Sequence, residues 1–210
     1  MKYASWILSF ALPAAAMSAP SALAEPVCEV IAVKGEASAA AQPLTLGQKL
    51  DVGTEVHTGI GRVRLRFVDG STLVVADHSV LRVARFDVAA GKPRDASLEL
   101  DVGLIGQQVA KQPGGSWEVR TPTAVTAVRG TEFMVEVGDD LATAVNVQSG
   151  EVKVEAVQSS AGGTRSLHPR SIVTLEHADD GTSCSPTRGC SAASTWTPDR
   201  VKAAQDRLAF

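Results

Sequence analysis

Arg62-Val63-Arg64-Leu65-Arg66-Phe67-Val68 decides the fold. Val63, Leu65 and Phe67 fall on one face of an extended chain, and Arg62, Arg64 and Arg66 on the other. A period of two is the signature of a half-buried β-strand. Asp69-Gly70-Ser71 follows as turn chemistry, and Thr72-Leu73 opens the next extended run. The pattern continues along the chain. Leu98, Leu100 and Val102 alternate with Glu99 and Asp101, and Phe133, Val135 and Val137 share a face. Val145 and Val147 precede Gln148-Ser149-Gly150, and Val152 and Val154 follow it, as in a hairpin or a sharp strand corner. Asp51-Val52-Gly53, Ala90-Gly91, Gly114-Gly115 and Gly138-Asp139-Asp140 supply further turns. From Val30 to about Leu175 the chain reads as short strands and tight turns, an all-β domain.

Two runs break phase. Leu81, Val83, Phe86 and Val88 change parity across Ala84-Arg85, which predicts a bulge or a corner between sheet faces. Val125, Val128 and Thr131 surround Arg129-Gly130, where glycine accepts backbone angles closed to other residues. Asp-x-Gly recurs at 51–53 and 101–103, which is too thin to establish a repeat. Residues 177–196, rich in Asp, Gly, Ser, Thr and Pro, read as a loop. Residues 197–210 read as a short helix, with Thr197 as N-cap, Pro198 in the first position and Asp199 at the positive end of the dipole. Val201, Ala204 and Leu208 form one stripe, so the helix is expected to dock on the β body. A partner-binding tail is the alternative.

Composition excludes several classes. The 210 residues are 44% apolar, 20% charged and 4% aromatic, with formal charge −3. That apolar content argues against disorder, and the acidic balance argues against a nucleic-acid binder. Four His and three Cys are too few for a His-rich or Cys-rich metal protein, and no cofactor is expected. Residues 1–24 read as a signal peptide: Met1-Lys2-Tyr3, an apolar region from Trp6 to Met17, and an Ala22-Leu23-Ala24 cleavage site. The apolar run is short and interrupted by Pro13 and Pro20, unlike a span of about 20 residues, and no later stretch is suited to a membrane anchor. The expected compartment is the periplasm, with onward release or surface association left open. Glu25-Pro26-Val27 separates Cys28 from the cleavage site, which argues against lipidation. In an oxidising compartment Cys184 and Cys190 can close a small loop, and pairing of Cys28 with either is equally consistent with the sequence.

Three stretches carry a family resemblance. They are Gly61 to Leu73 with its Asp69-Gly70-Ser71 turn, Arg120-Thr121-Pro122-Thr123-Ala124-Val125-Thr126-Ala127-Val128-Arg129-Gly130-Thr131-Glu132-Phe133, and Val147-Gln148-Ser149-Gly150-Glu151-Val152. In order and spacing they resemble the FecR domain, over roughly residues 30–155 within a domain spanning 25–176. The resemblance implies a solenoid-like or rolled all-β periplasmic domain that works by contact rather than catalysis. The namesake regulators relay a signal from an outer-membrane transporter to a cytoplasmic sigma factor. No cytoplasmic segment precedes the hydrophobic stretch here, so the expectation is a free-standing exported module that binds another envelope component.

The residues themselves offer little catalytic chemistry. Asp69-Gly70-Ser71 is better read as a capped turn than as a carboxylate and nucleophile. Arg129-Gly130-Thr131-Glu132 reads as a corner in which Arg129 bridges carbonyls or pairs with Glu132, although an arginine there can also fork an anion. His57, His78, His168 and His177 show no metalloprotease spacing, and no nucleophile elbow or phosphate loop occurs. The candidate binding surface is therefore the arginine face, Arg62, Arg64 and Arg66, with Arg82, Arg85 and Trp117. It would attract an acidic protein patch, a polysaccharide or headgroups; the bland reading is a solvated face balanced by Glu99 and Asp101. No aromatic platform interleaves with it, which disfavours single-stranded nucleic acid. Scarce aromatics favour a protein partner over a glycan, a preference that an exposed Trp117 would reverse. The partner's identity and the oligomeric state are not legible.

Overall fold

The computed structural model describes residues 25–89, 91–157 and 171–210. The expected signal peptide, the Ala90 half of its turn and His168 lie outside the described residues. The alternating stretch lies at the end of β4 (Glu55–Phe67), with Val63, Leu65 and Phe67 buried as its period requires. β1 (Cys28–Ala39) pairs antiparallel with β4 from Cys28↔Phe67 to Ala39↔Val56. Short β2 (Gln42–Pro43) and β3 (Lys49–Leu50) add to β1. β4 then divides its other edge, giving residues 63–66 to β5 (Thr72–Val75) and residues 55–57 to β6 (Val80–Asp87).

The next strand, β7 (Asp95–Gln108), is the spine. Its first half lies between β6 and β8 (Ser116–Arg120), the latter in parallel. Its second half lies between β5 and β10 (Glu132–Val137). One wing continues from β8 to β9 (Ala124–Val128), β12 (Val152–Ala156) and β13 (Ile172–Leu175). The other continues from β10 to β11 (Thr143–Ser149), β14 (Asp180–Ser185) and β15 (Gly189–Cys190), with β16 (Ser194–Thr195) also on β14. The wings roll into a small β-barrel with strands attached, and Val30, Leu65, Leu98, Ile105, Trp117, Val135 and Val154 are among its core. Of the two expected forms, this is the rolled one.

β7 can serve both wings because it bends at Gly103. That residue has φ +98°, and a Cβ there would lie 2.1 Å from Ser79 Oγ. Ser79 Oγ meanwhile accepts from the Leu104 amide at 3.0 Å, fixing the bend. The expected bulge at Ala84-Arg85 is present as a register shift between Val83 and Arg85. The 148–150 segment is a corner rather than a hairpin, because β11 and β12 join different wings.

Residues 177–196 depart from the expected loop. β14, β15 and β16 lie within them, and β14 pairs with the edge of β11. Backbone pairing and burial of Thr182 and Cys184 hold this strand, in place of an apolar run. The helix α1 (Pro198–Leu208) forms as expected, although the Thr197 side chain makes no capping bond. Pro198 and Asp199 carry its start. Val201 and Ala204 are buried in a second cluster with Ala76, Leu104, Met134 and Trp196, with Leu208 packed against it. Among the described residues no helix is long and apolar enough to cross a membrane.

Candidate interaction surface

The arginine stripe is engaged by the protein itself. Arg62 Nη1 donates to the carbonyls of Asp206 (3.2 Å) and Ala209, at the end of α1, where helix carbonyls lack intrahelical partners. Arg64 lies 4.6 Å from the Phe210 ring centroid, and Arg66 Nη2 is 3.4 Å from Glu29 Oε2. Across β6 and β7, Arg82 pairs with Glu99 and Arg85 with Asp95, the second at 2.9 Å. Glu99 thus balances the charge as the bland reading anticipated. The C-terminal helix as cover for Arg62 and Arg64 was not legible, because nothing in β4 points to a segment so distant in sequence.

Trp117 does not belong to any surface. Its exposure is 0%, its Nε1 donates to Gln107 Oε1 at 2.7 Å, and its ring packs edge-on against Phe67 and Phe86. The parallel pairing of β8 with β7 points it inwards, where its polar N–H finds a partner. Beside it lies Arg94, which sequence reasoning missed. Its side chain is only 1% exposed and ion-paired with Asp69. It also donates to the carbonyls of Ala110 (3.1 Å) and Ser116 (3.3 Å), and its guanidinium lies over the Trp117 ring. Asp69 in turn accepts from the Ser71 amide (2.9 Å) and hydroxyl (2.8 Å). The Asp69-Gly70-Ser71 turn is therefore capped as expected, and Arg94 ties it to both ends of the bent β7.

The second signature is also spent on structure. Thr121 Oγ1 accepts from the Ala124 amide and lies 2.7 Å from Thr143 Oγ1, which contacts Thr123 Oγ1 at 2.6 Å. These threonines, around Pro122, clamp the β8–β9 turn to β11. Arg120 pairs with Glu118 on the surface at 2.8 Å. At the 129–132 corner a Cβ on Gly130 would lie 2.1 Å from Lys111 Cγ, and φ is +63°. Thr131 Oγ1 donates to the Glu151 carbonyl at 3.0 Å, bringing this corner against the Gly150 corner. Phe133 is buried in the core. Arg129 and Glu132 are both exposed, and of the two arrangements expected at this corner the Arg129–Glu132 ion pair does not form.

Residues 54–153 match the family described as FecR protein. Those residues are a FecR domain. The fold resembles two crystal structures of a "putative anti-sigma factor" from Parabacteroides distasonis, each at 20% identity and TM-score 0.55. Each match covers 71% of this chain and 62% or 63% of that protein, so the chain spans less than two thirds of their length and the likeness establishes the fold. No curated protein matches the chain in sequence.

Outside the FecR domain, the C-terminal helix is held by charge as well as by packing. Arg207 Nε donates to Asp77 Oδ1 at 3.0 Å, and Nη1 to Glu136 Oε1 at 2.6 Å. Partial burial pushes Asp77 up, but the hydrogen bond and charge of Arg207 outweigh it and hold the carboxyl below its ordinary value. Partial burial pulls Arg207 down, and its two carboxylate partners outweigh that. Trp196 carries Arg200 over its ring at 3.6 Å. Cys184 and Cys190 form the disulfide, facing one another across β14 and β15. Cys28 is a free, buried thiol, pushed up to about 12 by burial and then by the charge of Asp51. His57 contacts Glu55 and His177 contacts Asp180, while His78 occupies an exposed turn. Among the described residues no three His, Cys, Asp or Glu side chains gather as a metal-holding group.

Proposed function

We propose that this protein is a non-catalytic interaction module of the cell envelope, exported to the periplasm, which binds another envelope protein in a signalling or assembly role. One observation carries the reading: the signature residues with chemical potential, Asp69, Ser71, Thr121, Thr123 and Thr131, are consumed in fixing turns and corners. A rigid scaffold with its motif residues turned inwards presents surface, not a reaction centre. The likeness in fold to an anti-sigma factor supports a signalling context. The alternative, a carbohydrate or cell-wall module, needs exposed rings. Trp117 and Trp196 are buried, and Phe210, an exposed ring at 41%, is engaged by Arg64.

Cross-linking in intact envelopes of an exporting bacterial host, followed by mass spectrometry, tests the reading. The expected result is a covalent adduct with one envelope protein. Retention on purified wall or polysaccharide with no protein adduct would replace it with the glycan reading.

A further inference from the structure

At one end of the barrel, four separate segments bring aliphatic side chains to the surface. Val52 is 41% exposed in the Asp51–Gly53 turn, Val68 65% exposed beyond β4, and Val88 40% exposed beyond β6. Pro26 joins them from the start of the described chain. All four line one cleft of about 410 Å³ floored by Val27 and Phe86. Backbone bonds fix the arrangement: Val68 N donates to Val27 O at 3.0 Å, Val27 N to Leu50 O at 2.9 Å, and Gly53 N to Val83 O at 2.7 Å. Turn tips ordinarily carry polar residues, so valines in two turns and a third just beyond a strand end, all around one cleft, form an exposed apolar site set in rigid backbone.

Its side-chain charges all have one sign, and cleavage before Glu25 would set a single α-ammonium against them. Glu25 and Asp87 line the cleft, and Asp51 adjoins Val52. All three are exposed, and none has an ion-pair partner among the described residues. No described Lys or Arg lines the cleft. The carboxylate nearest in sequence that could have been neutralised locally, Asp69, is turned inwards to Arg94.

We infer that this cleft binds a protein segment that presents an aliphatic side chain flanked by Lys or Arg. The apolar floor desolvates the aliphatic group, and the acidic rim selects and steers the basic flank. An anionic bilayer surface would be repelled by the same rim. The inference rests on the interaction-module reading and names the surface it uses.

The test is a photo-reactive residue placed at position 88, and separately at position 153 on β12 outside the cleft, in cells exporting the full chain. Adduct sites are then read by peptide sequencing. The expected adduct from position 88 lies in a segment of another protein with aliphatic residues beside Lys or Arg. The double variant Glu25→Lys/Asp87→Lys, with an unchanged melting temperature, lowers its yield roughly tenfold. An adduct to lipid, to an acidic segment or to a second copy of the chain overturns the assignment, as does an undiminished yield in the double variant. Adducts from position 153 alone overturn the cleft and leave the module reading standing. Adducts from neither position overturn both.

Discussion

Arg94 is a buried cation whose role depends on a single carboxylate. Replacing it with Met leaves Asp69 charged and enclosed, and loss of one member of a buried pair costs about 3–5 kcal/mol. Chemical denaturation of Arg94→Met should show a loss of that order, with the midpoint moving rather than the slope. Asp69→Asn keeps an acceptor for the Ser71 amide but leaves the Arg94 cation enclosed without its carboxylate, so it should lose a comparable amount. Cys28 makes a second prediction at this scale. Burial and the charge of Asp51 hold its thiol at about 12, so the thiolate is scarce at neutral pH. A thiol reagent should label it only in denaturant, and rapid labelling in native buffer would show that β1 is open. The burial of Arg94 and Trp117 was not legible. Arg94 sits between Pro93 and Asp95 with no periodic neighbour to mark it as inward. Trp117 is inward because of a parallel pairing with β7 that local alternation does not specify.

α1 is joined to the sheet by Val201, Ala204 and Leu208 on one side and by Arg207 on the other. Asp77 has a folded value below its ordinary 3.8, so its contribution is complete above that value and is lost as pH falls through the lower, folded value. Asp77→Asn should therefore reduce the melting temperature at neutral pH and match the parent protein in strong acid. The pair is about one-third exposed, so solvent screening keeps the loss below about 1 kcal/mol. Reduction of Cys184–Cys190 should lower stability by about 2 kcal/mol, from loop closure in the unfolded chain; urea midpoints with and without reductant measure it. The helix was legible from Thr197-Pro198 and its apolar stripe because its signals are local. β14 was not legible, since Asp180-Gly181-Thr182-Ser183-Cys184-Ser185 carries no apolar alternation. It is a strand because β11 offers it an edge.

For the molecule, the FecR match and the folding unit differ. The match begins at residue 54, yet β4 requires β1 along almost its whole length. It ends at residue 153, yet β11 requires β14. An excised fragment of residues 54–153 should therefore show no cooperative melting transition, whereas a chain from residue 25 to 210 should show one. The signal-peptide expectation is checked by N-terminal sequencing of the exported protein, which should begin at Glu25. The strand-rich body was legible at this scale because period two survives in most of its strands. The fork at β7 was not, because it depends on the bend at Gly103 and on which neighbours each half meets.

The pairing of β11 with β14 has a consequence for the chain as it is made. Synthesis runs from the N-terminus, so β10 and β11 emerge before the residues that seal them. Until residues 180–185 follow, the outer rim of β11 is an open ladder of amides and carbonyls. Such a rim is a template for another unfinished chain. Slow delivery of the C-terminal segment would therefore favour tangled nascent chains over native ones.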